Sequence, residues 1–424
     1  MREAESIREG KAFDLLQKFE YILESDPLIE EVGFLHPSQF VTLAKEGDDN
    51  LDHGSETLDY FWIRDHKLGI STAVLLPLYN AAKCAFTAAA MQYKRMIEDF
   101  SCSAGVEAAQ SSFSSSCGSF ESEVMKHSRV LLLLSSDFGT AWNSRKLVVS
   151  KKQSISTFID ELLLSALVLS YSPKSEHAWC HRRWVIKIIA GKCPTFQEVL
   201  ENESELVEKI AEKSKMNYRA WNHRCWIVSY MTKELVLCEL LKSRDWAALH
   251  VADNSCFHYR RRLMHRMVED SCHEKEDKSS GHNDEICRMW KEELDWNELL
   301  IKRYVGREAL WIHRRFVSIC WINHFAANLS GKSCLSRDNL CINNSICTFL
   351  DNEICLLYTC STILDSDFED FEAQAVYAVT YMLWLTKQIP ESQGSEVLKK
   401  LQAGQTKTML NEACSEKPFL HDFL

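Results

Sequence analysis

The chain has 424 residues, 46% of them hydrophobic, and a formal net charge of −11. This length and apolar content are enough to bury a large core, and the acidic balance argues against nucleic acid as the main partner. With only 14 Gly and 7 Pro, the composition favours helices and leaves little room for strands and turns.

The cysteines and the apolar runs predict where the chain resides. The opening residues, Met1-Arg-Glu-Ala-Glu-Ser, are charged and lack the apolar region of a secretion signal. The longest apolar runs, near 74–78 and 130–134, are far shorter than a membrane span. Seventeen cysteines in such a chain indicate reduced thiols rather than a disulfide framework. We expect a cytoplasmic protein without a membrane span.

Residues 1–124 are predicted to form an N-terminal helical region. An amphipathic helix over 12–23 precedes an acidic loop, Glu46-Gly-Asp-Asp-Asn, and residues 58–100 are predicted to form one or two helices. The serine-rich stretch 101–122 has the composition of a flexible insertion.

Residues 125–325 carry a repeat in which an aromatic residue is followed three residues later by arginine. The pairs are Trp142/Arg145, Trp179/Arg182, Trp221/Arg224, Phe257/Arg260 and Trp311/Arg314. Successive aromatic residues lie 37, 42, 36 and 54 residues apart. A period in this range is typical of stacked two-helix repeats.

The clearest repeat predicts a helical hairpin. Its first helix has one apolar stripe, formed by Ile155, Phe158, Ile159, Leu162, Leu163, Ala166 and Leu167. Ser172-Pro-Lys-Ser175 ends this helix, and a second helix over about 176–190 carries the Trp/Arg motif on one face. Because one hairpin cannot bury its apolar face alone, the hairpins must stack. The predicted fold is all-α, a right-handed alpha-alpha superhelix.

Residues 326–424 are predicted to form a degenerate last hairpin and a tail. Its helices lie near 347–364 and 372–388, and Tyr377 or Tyr381 replaces the tryptophan. An acidic, His-rich and Ser-rich insertion at about 269–285 explains the 54-residue step.

Two interpretations of the motif residues remain open at this level. The tryptophans and first arginines are expected to be structural, with each arginine binding loop carbonyls or an acid of the next repeat. Recurring basic residues could instead give a local positive field suited to phosphates. His181, His223 and His313 fall in different repeats, which favours packing over a metal set. Cys272, His273, His282 and Cys287 are a weaker zinc alternative. No metal site is predicted in this chain.

The repeats resemble those of protein prenyltransferase alpha subunits. The resemblance rests on Pro173-Lys-Ser-Glu-His-Ala-Trp-Cys-His-Arg-Arg-Trp184, Asn217-Tyr-Arg-Ala-Trp-Asn-His-Arg-Cys-Trp226 and Asn254-Ser-Cys-Phe-His-Tyr-Arg260. It implies helical hairpins wrapped around a separate beta subunit that holds a catalytic zinc and most of an isoprenoid pocket. No cofactor is then expected in this chain, and an isoprenoid diphosphate is the expected co-substrate.

The resemblance also implies roles for three residues. The family has a diphosphate-binding lysine five residues before one repeat tryptophan, and Lys174 has this position relative to Trp179. The family tyrosine two residues after that lysine is replaced by Glu176, which is unfavourable beside a diphosphate unless it is paired. Tyr218 keeps a family tyrosine, and Arg219 replaces a family histidine and could supply the missing positive charge.

The resemblance therefore implies the alpha subunit of a heterodimeric protein prenyltransferase, inactive alone and expected to transfer geranylgeranyl to a protein cysteine. Its expected partners are a beta subunit and a protein substrate. The alternative is a non-catalytic helical scaffold for protein partners, which Glu176 and the insertions favour and which Lys174 and Tyr218 oppose.

Overall fold

A computed structural model describes residues 2–46, 56–58, 60–102, 110–273, 281–323, 338–361 and 369–402. The chain divides into two compact units, Met1–Arg224 and Cys225–Leu424. It is mostly helical (82%), and consecutive helices pair with one another. The predicted fold of helical hairpins is confirmed.

The first unit contains a small sheet and nine helices among its described residues, and the last of these helices crosses the boundary. The elements are α1 (Arg2–Ser25), β1 (Glu31–Leu35), α2 (Pro37–Glu46), β2 (Glu56–Leu58), β3 (Phe61–Arg64), β4 (Lys67–Ser71), α3 (Leu75–Cys102), α4 (Gln110–Leu134), α5 (Gly139–Lys152), α6 (Ile155–Tyr171), α7 (Glu176–Ile189), α8 (Phe196–Lys213) and α9 (Tyr218–Ile227). The second unit continues with α10 (Lys233–Leu249), α11 (Asn254–His273), α12 (Gly281–Arg303), α13 (Glu308–Trp321), α14 (Asp338–Ser361), α15 (Glu369–Thr386) and α16 (Glu391–Gln402).

The four strands form a sheet of order β1-β4-β3-β2, which composition did not predict. β1 runs parallel to β4, and β3 and β4 form an antiparallel hairpin. Its turn places Asp65 and His66 at φ 48° and 58°, the left-handed conformation that a two-residue hairpin requires. The prediction of helix over 58–100 is wrong for 58–71, because Asp-His lacks the glycine that usually marks such a turn.

The sheet is held to the helical part of the first unit on two sides. The ring of Phe61 stacks on that of Phe19 in α1, with centroids 5.4 Å apart. The backbone N–H of Val32 in β1 donates to Ser170 Oγ in α6 at 3.2 Å. Phe61, Leu68 and Ile70 are buried in the core shared with α1 and α3. The sheet therefore contributes one face to the same core as α1 and α3.

α3 and α4 form the first helical pair. The described segment Thr72–Glu98 is long and apolar enough to cross a membrane by length and composition alone, with a mean hydropathy of 1.3. In the structure α3 buries a stripe, Leu78, Ala82, Phe86, Ala89 and Tyr93, in the core.

The serine-rich stretch is helical where it is described. Residues 110–122 belong to α4, so the predicted flexible insertion is wrong there, and residues 103–109 lie outside the described residues. Tyr93 in α3 donates to Glu121 in α4 at 3.0 Å. This tertiary contact and the burial of Val124 outweigh the low helix preference of serine.

The hairpin predicted over 155–190 is confirmed by α6 and α7, with Ser175 accepting the N–H of Ala178 as the N-cap of α7. Leu163 departs from the predicted stripe because it is 59% exposed. Glu161, Leu164 and Ser165 are buried instead, since more than one face of α6 is covered. The insertion predicted at 269–285 extends α11 and α12, and residues 274–280 lie outside the described residues.

The last predicted hairpin is also present, as α14 and α15. Tyr381 in α15 is buried and donates to Glu353 in α14 at 2.8 Å. Tyr381 thus takes the contact made elsewhere by a motif histidine rather than by a tryptophan. The nearby Trp311 Nε1 donates to Gln374 Oε1 at 3.1 Å.

Candidate functional site

The motif tryptophans are core residues, and two of them also bind the turn of their own hairpin. Trp142 and Trp179 are buried, and their indole N–H groups donate to the carbonyls of Ser136 at 2.8 Å and Pro173 at 3.1 Å. Trp221, Phe257 and Trp311 are buried at the equivalent positions. This burial agrees with the structural interpretation of these residues, which stays a prediction.

The first arginine of the motif joins consecutive hairpins. Arg182 in α7 donates through Nε and Nη2 to the carboxylate of Glu203 in α8, the Nε bond being 2.9 Å long. Its Nη1 donates to the carbonyl of Leu162 at 2.5 Å and to Ser165 Oγ at 3.0 Å. A planar guanidinium suits this two-pronged contact with a carboxylate.

The same contacts recur along the chain. Arg145 binds Glu161, Arg260 binds Glu293 and Arg314 binds Glu353, each through Nε and Nη2. Arg224 differs, because it donates to Ser204 Oγ at 2.8 Å and to Glu208 at 3.2 Å. These three arginines and Arg182 therefore bind an acid of the next hairpin, in agreement with the structural interpretation. The carbonyls that Arg145, Arg182, Arg260 and Arg314 bind lie in the first helix of their own hairpin rather than in a loop.

The motif histidines complete these buried networks. His181, His223 and His313 donate from Nε2 to Glu161, Glu203 and Glu293, each at 2.8 Å. Each of these glutamates therefore binds an arginine from the preceding hairpin and a histidine from its own. These hydrogen bonds agree with the interpretation that the three histidines are packing residues.

Burial and charge act in opposite directions on these glutamates. Burial by itself would raise the pKa of Glu203, but the positive charge of Arg182 and the hydrogen bond from His223 hold its pKa at about 2. Glu161 behaves in the same way, at about 2, beside Arg145 and His181. The first arginines are thus committed to internal ion pairs and are not available to bind phosphate.

Sequence reasoning did not identify these glutamates. The signal that could have found them is spacing, since Glu161, Glu203 and Glu293 each lie 20 residues before their histidine. A recurring Glu at a fixed distance from a recurring His points to a pair within one hairpin.

Lys174, Tyr218 and Arg219 lie at the turns of two neighbouring hairpins. Lys174 is exposed in the turn between α6 and α7, and Tyr218, 71% exposed, opens α9. Asn217 links the two places, because its Nδ2 donates to the carbonyl of Pro173 at 2.8 Å. Its Oδ1 accepts the N–H of Ala220 at 3.2 Å and caps α9. Lys174 is the residue after Pro173, and Tyr218 is the residue after Asn217, so this hydrogen bond brings their backbones close together.

Glu176 carries the negative charge of this site and is paired. Its Oε2 accepts from Arg219 Nη1 and its Oε1 from Arg183 Nη2, both at 2.8 Å. Cys180 Sγ lies 3.2 Å from Oε1. Burial opposes ionisation of Glu176, but these donors lower its pKa. The substitution of glutamate for the family tyrosine is therefore compensated within the chain, and with Lys174 the set keeps a net positive charge.

The described residues contain no group of three or more His, Cys, Asp or Glu side chains that could hold a metal ion. The side chains of Cys272, His273 and His282, from the alternative zinc set, lie outside the described residues. The set Lys174, Tyr218 and Arg219 offers cationic and phenolic side chains, which can bind an anion.

Two of the hairpins match a known family of helical repeats. Residues 158–189 and 200–231 match the protein prenyltransferase alpha subunit repeat, which covers α6 with α7 and α8 with α9. Two hairpins of the chain therefore resemble prenyltransferase alpha subunit repeats. The chain is 31% identical over 268 residues to protein prenyltransferase alpha subunit repeat-containing protein 1 of Danio rerio, covering 52% of this chain and 62% of that protein.

Two further relatives have a similar or lower identity to this chain. The Homo sapiens protein of the same description is 31% identical over 229 residues, covering 44% of this chain and 56% of that protein. Geranylgeranyl transferase type-2 subunit alpha of Saccharomyces cerevisiae is 27% identical over 154 residues, covering 35% and 46%. The chain thus matches less than two thirds of the length of each of these relatives. It is a homologue of the repeat-containing proteins and a more distant relative of transferase alpha subunits.

Proposed function

We propose that this chain is the alpha subunit of a heterodimeric protein prenyltransferase that transfers a geranylgeranyl group to a protein cysteine. The repeat match and the similarity to geranylgeranyl transferase type-2 alpha subunits support this class. The specific role of the chain rests on the set Lys174, Tyr218 and Arg219.

The observation that carries the proposal is the position of these side chains. Exposed Lys174 and Tyr218 flank the Asn217–Pro173 hydrogen bond, where the second helices of two consecutive hairpins begin. In a prenyl transfer, the cysteine thiolate forms a bond to C1 of the isoprenoid while the bond from C1 to the diphosphate oxygen breaks. Negative charge accumulates on the leaving diphosphate, so fixed cations stabilise the transition state more than the ground state.

Lys174 is the exposed cation of this set. Among the described residues, no carboxylate lies within 4 Å of its ammonium group, in contrast to Arg219, which binds Glu176. Arg219 is 43% exposed at its side chain but is bound to Glu176. A diphosphate that approaches Arg219 therefore competes with the Glu176 carboxylate. We expect Glu176 to keep its contact with Arg183 when Arg219 turns to the diphosphate.

In the proposed heterodimer the metal cofactor belongs to the partner subunit and not to this chain. The beta subunit would hold zinc, which activates the substrate cysteine as a thiolate, and this chain would hold the diphosphate. The proposed location is the cytoplasm. The described cysteines are free thiols, as a reducing compartment requires.

The test is reconstitution with prenyltransferase beta subunits. The purified chain alone should transfer no prenyl group, whereas the heterodimer should transfer geranylgeranyl from its diphosphate to a protein cysteine. Stoichiometric co-purification of a beta subunit from cytosol identifies which one to use. Robust transfer by the isolated chain would contradict the division of labour.

A scaffold without catalysis is the second candidate, and the Glu176 contacts are the observation that favours it. Glu176 satisfies Arg183 and Arg219 internally, as a chain that no longer binds diphosphate would do. A complex that forms with a beta subunit, or with another protein, but has no transferase activity in every combination would establish the scaffold.

A further inference from the structure

A cavity of about 410 Å³ lies in the first unit between α1, α4 and α6. Its lining includes the buried apolar side chains Leu23, Ile29, Val130, Leu164 and Leu167, and also the buried charged side chains of Glu20 and Arg145. Its rim is polar and includes Ser122, Thr157 and Asp160. The volume is within the range of pockets that hold small organic ligands. It is separate from the set around Lys174, which does not line it.

Arg129 is the lining cation that the surrounding structure leaves incompletely bound. The side chain is half-buried, and its Nη1 donates to the carbonyl of Leu23 at 3.1 Å. Its Nε is buried without a hydrogen-bond partner among the described residues. No carboxylate of the described residues lies within 4 Å of the guanidinium, and burial lowers the pKa of Arg129. A half-buried cation with one unpaired donor is stabilised by an anion that enters the cavity.

The other lining cations already have carboxylate partners. Lys126 binds Glu20 at 3.1 Å and lies 3.8 Å from Glu24. Arg145 is held by Glu161. The lining also includes the carboxylates of Glu20, Glu24 and Asp160. These three negative charges repel a ligand with several negative charges, such as a diphosphate. A ligand with one negative charge can still pair with the guanidinium of Arg129.

We propose that this cavity binds a small amphipathic monocarboxylate, with the carboxylate at Arg129 and the apolar chain against Val130, Leu164 and Leu167. A guanidinium pairs well with one planar carboxylate. The buried leucines and valine exclude water from the chain of the ligand. The site is independent of prenyl transfer, and its failure would leave the proposed function untouched.

Calorimetric titration of the full chain with decanoate tests the site. Decanoate should bind at one site, and Arg129→Gln should weaken the binding about tenfold to hundredfold, because a hydrogen-bonded charge pair is lost. Arg95→Gln, at an exposed arginine of α3, is the matched control and should change nothing. Hexanoate, which is four methylenes shorter, should bind about 250-fold more weakly than decanoate if all four are buried, at about fourfold for each methylene.

A second variant tests the charge balance without a burial change. Asp160 is exposed at the rim, so Asp160→Asn should fold normally and should tighten decanoate binding about twofold to threefold at low salt. Three results would each overturn the proposal. These are no saturable decanoate binding up to about 10 mM, undiminished binding in a folded Arg129→Gln, or equal or tighter binding of decylamine or geranyl diphosphate in this cavity.

Discussion

Arg182 lies in the second helix of one hairpin, Glu203 lies in the first helix of the next, and both are buried. The guanidinium donates to the carboxylate through two nitrogen atoms, Nε and Nη2. Neither charge can be solvated by water, so each depends on the other. The side chain of His223 adds a third hydrogen bond to the same carboxylate. The pair therefore fixes how one hairpin is placed on the next.

Removing one partner of this pair should be costly. Arg182→Ala leaves the Glu203 carboxylate buried with only His223, which should lower the stability of the protein by about 3–5 kcal/mol. Arg95→Ala, at an exposed position of α3, is the control and should have an effect below about 0.5 kcal/mol. Urea unfolding followed by circular dichroism measures both. Equal stability of the two variants would show that the pair does not hold the hairpins together.

Acid should unfold the first unit through its buried glutamates. The pKa of Glu161 and Glu203 is about 2 in the folded state, below the ordinary value of 4.5. A lowered pKa contributes stability that is complete above about pH 4.5 and is lost as the pH falls toward 2, on the order of 3 kcal/mol for each group. His181, whose pKa is lowered by burial, adds to the loss from about pH 6.5 downward.

The measurement is the unfolding free energy at pH 7, 5, 4 and 3, and the control is a variant in which the titrating group is absent. Glu203→Gln should be less stable at pH 7 and should show a shallower fall below pH 4.5. An identical pH dependence in wild type and variant would contradict the assignment of the loss to Glu203.

Trp221→Ala tests the core role of the motif tryptophan. Trp221 is almost completely buried, so the change should destabilise by about 3–5 kcal/mol through lost burial and a cavity. Tyr218→Ala, at an exposed aromatic of the same helix, should leave the melting temperature unchanged. If Trp221→Ala kept its melting temperature and lost only association with a partner, the residue would be an interface residue instead.

The sequence predicted the hairpins well because their signals are local and repeated. The apolar period, the break at Pro173 and the recurring Trp/Arg spacing each arise within one hairpin, and the structure follows them at α6 and α7. The sheet was missed because its β3–β4 turn uses Asp65 and His66 without glycine. Residues 110–122 of α4 were missed because the stability of this segment comes from packing against α3 and not from its serines.

The site could be predicted less completely. Exposure of Lys174 and Tyr218 at successive turns agrees with their predicted position, and their roles stay predictions. The pairing of Arg219 with Glu176 depends on two residues from different hairpins coming together. A contact between two hairpins leaves no periodic pattern or motif within either hairpin. The sequence therefore indicated only that Glu176 is compatible with diphosphate binding if it is paired.

Glu176→Gln tests whether the carboxylate limits anion binding. The change removes the negative charge that holds Arg183 and Arg219 while keeping the size of the side chain. If the heterodimer binds an isoprenoid diphosphate here, the affinity should rise by about tenfold, because two arginines become available. Asp160→Asn removes the same charge away from the site and should not change the affinity. Fluorescence titration with a labelled isoprenoid diphosphate measures the effect, and an unchanged or weaker affinity in Glu176→Gln would contradict it.

Lys174→Ala tests the proposed contact with the leaving diphosphate. Lys174 is exposed in a turn, so the variant should fold and should bind the beta subunit as wild type does. Loss of one fixed donor to the transition state should lower the chemical step by about 10²–10³-fold. Lys174→Arg should recover part of the rate, since the charge stays while the geometry changes.

Arg219→Ala should act in the same direction as Lys174→Ala, and the double variant should be less than additive if both side chains hold one diphosphate. Lys94→Ala, at an exposed lysine of α3, is the matched control and should keep the full rate. Single-turnover rates of the reconstituted heterodimer are the right measurement, because slow product release can hide the chemical step in steady state. Wild-type single-turnover rates in Lys174→Ala and Arg219→Ala would remove the diphosphate role from this chain and favour the scaffold.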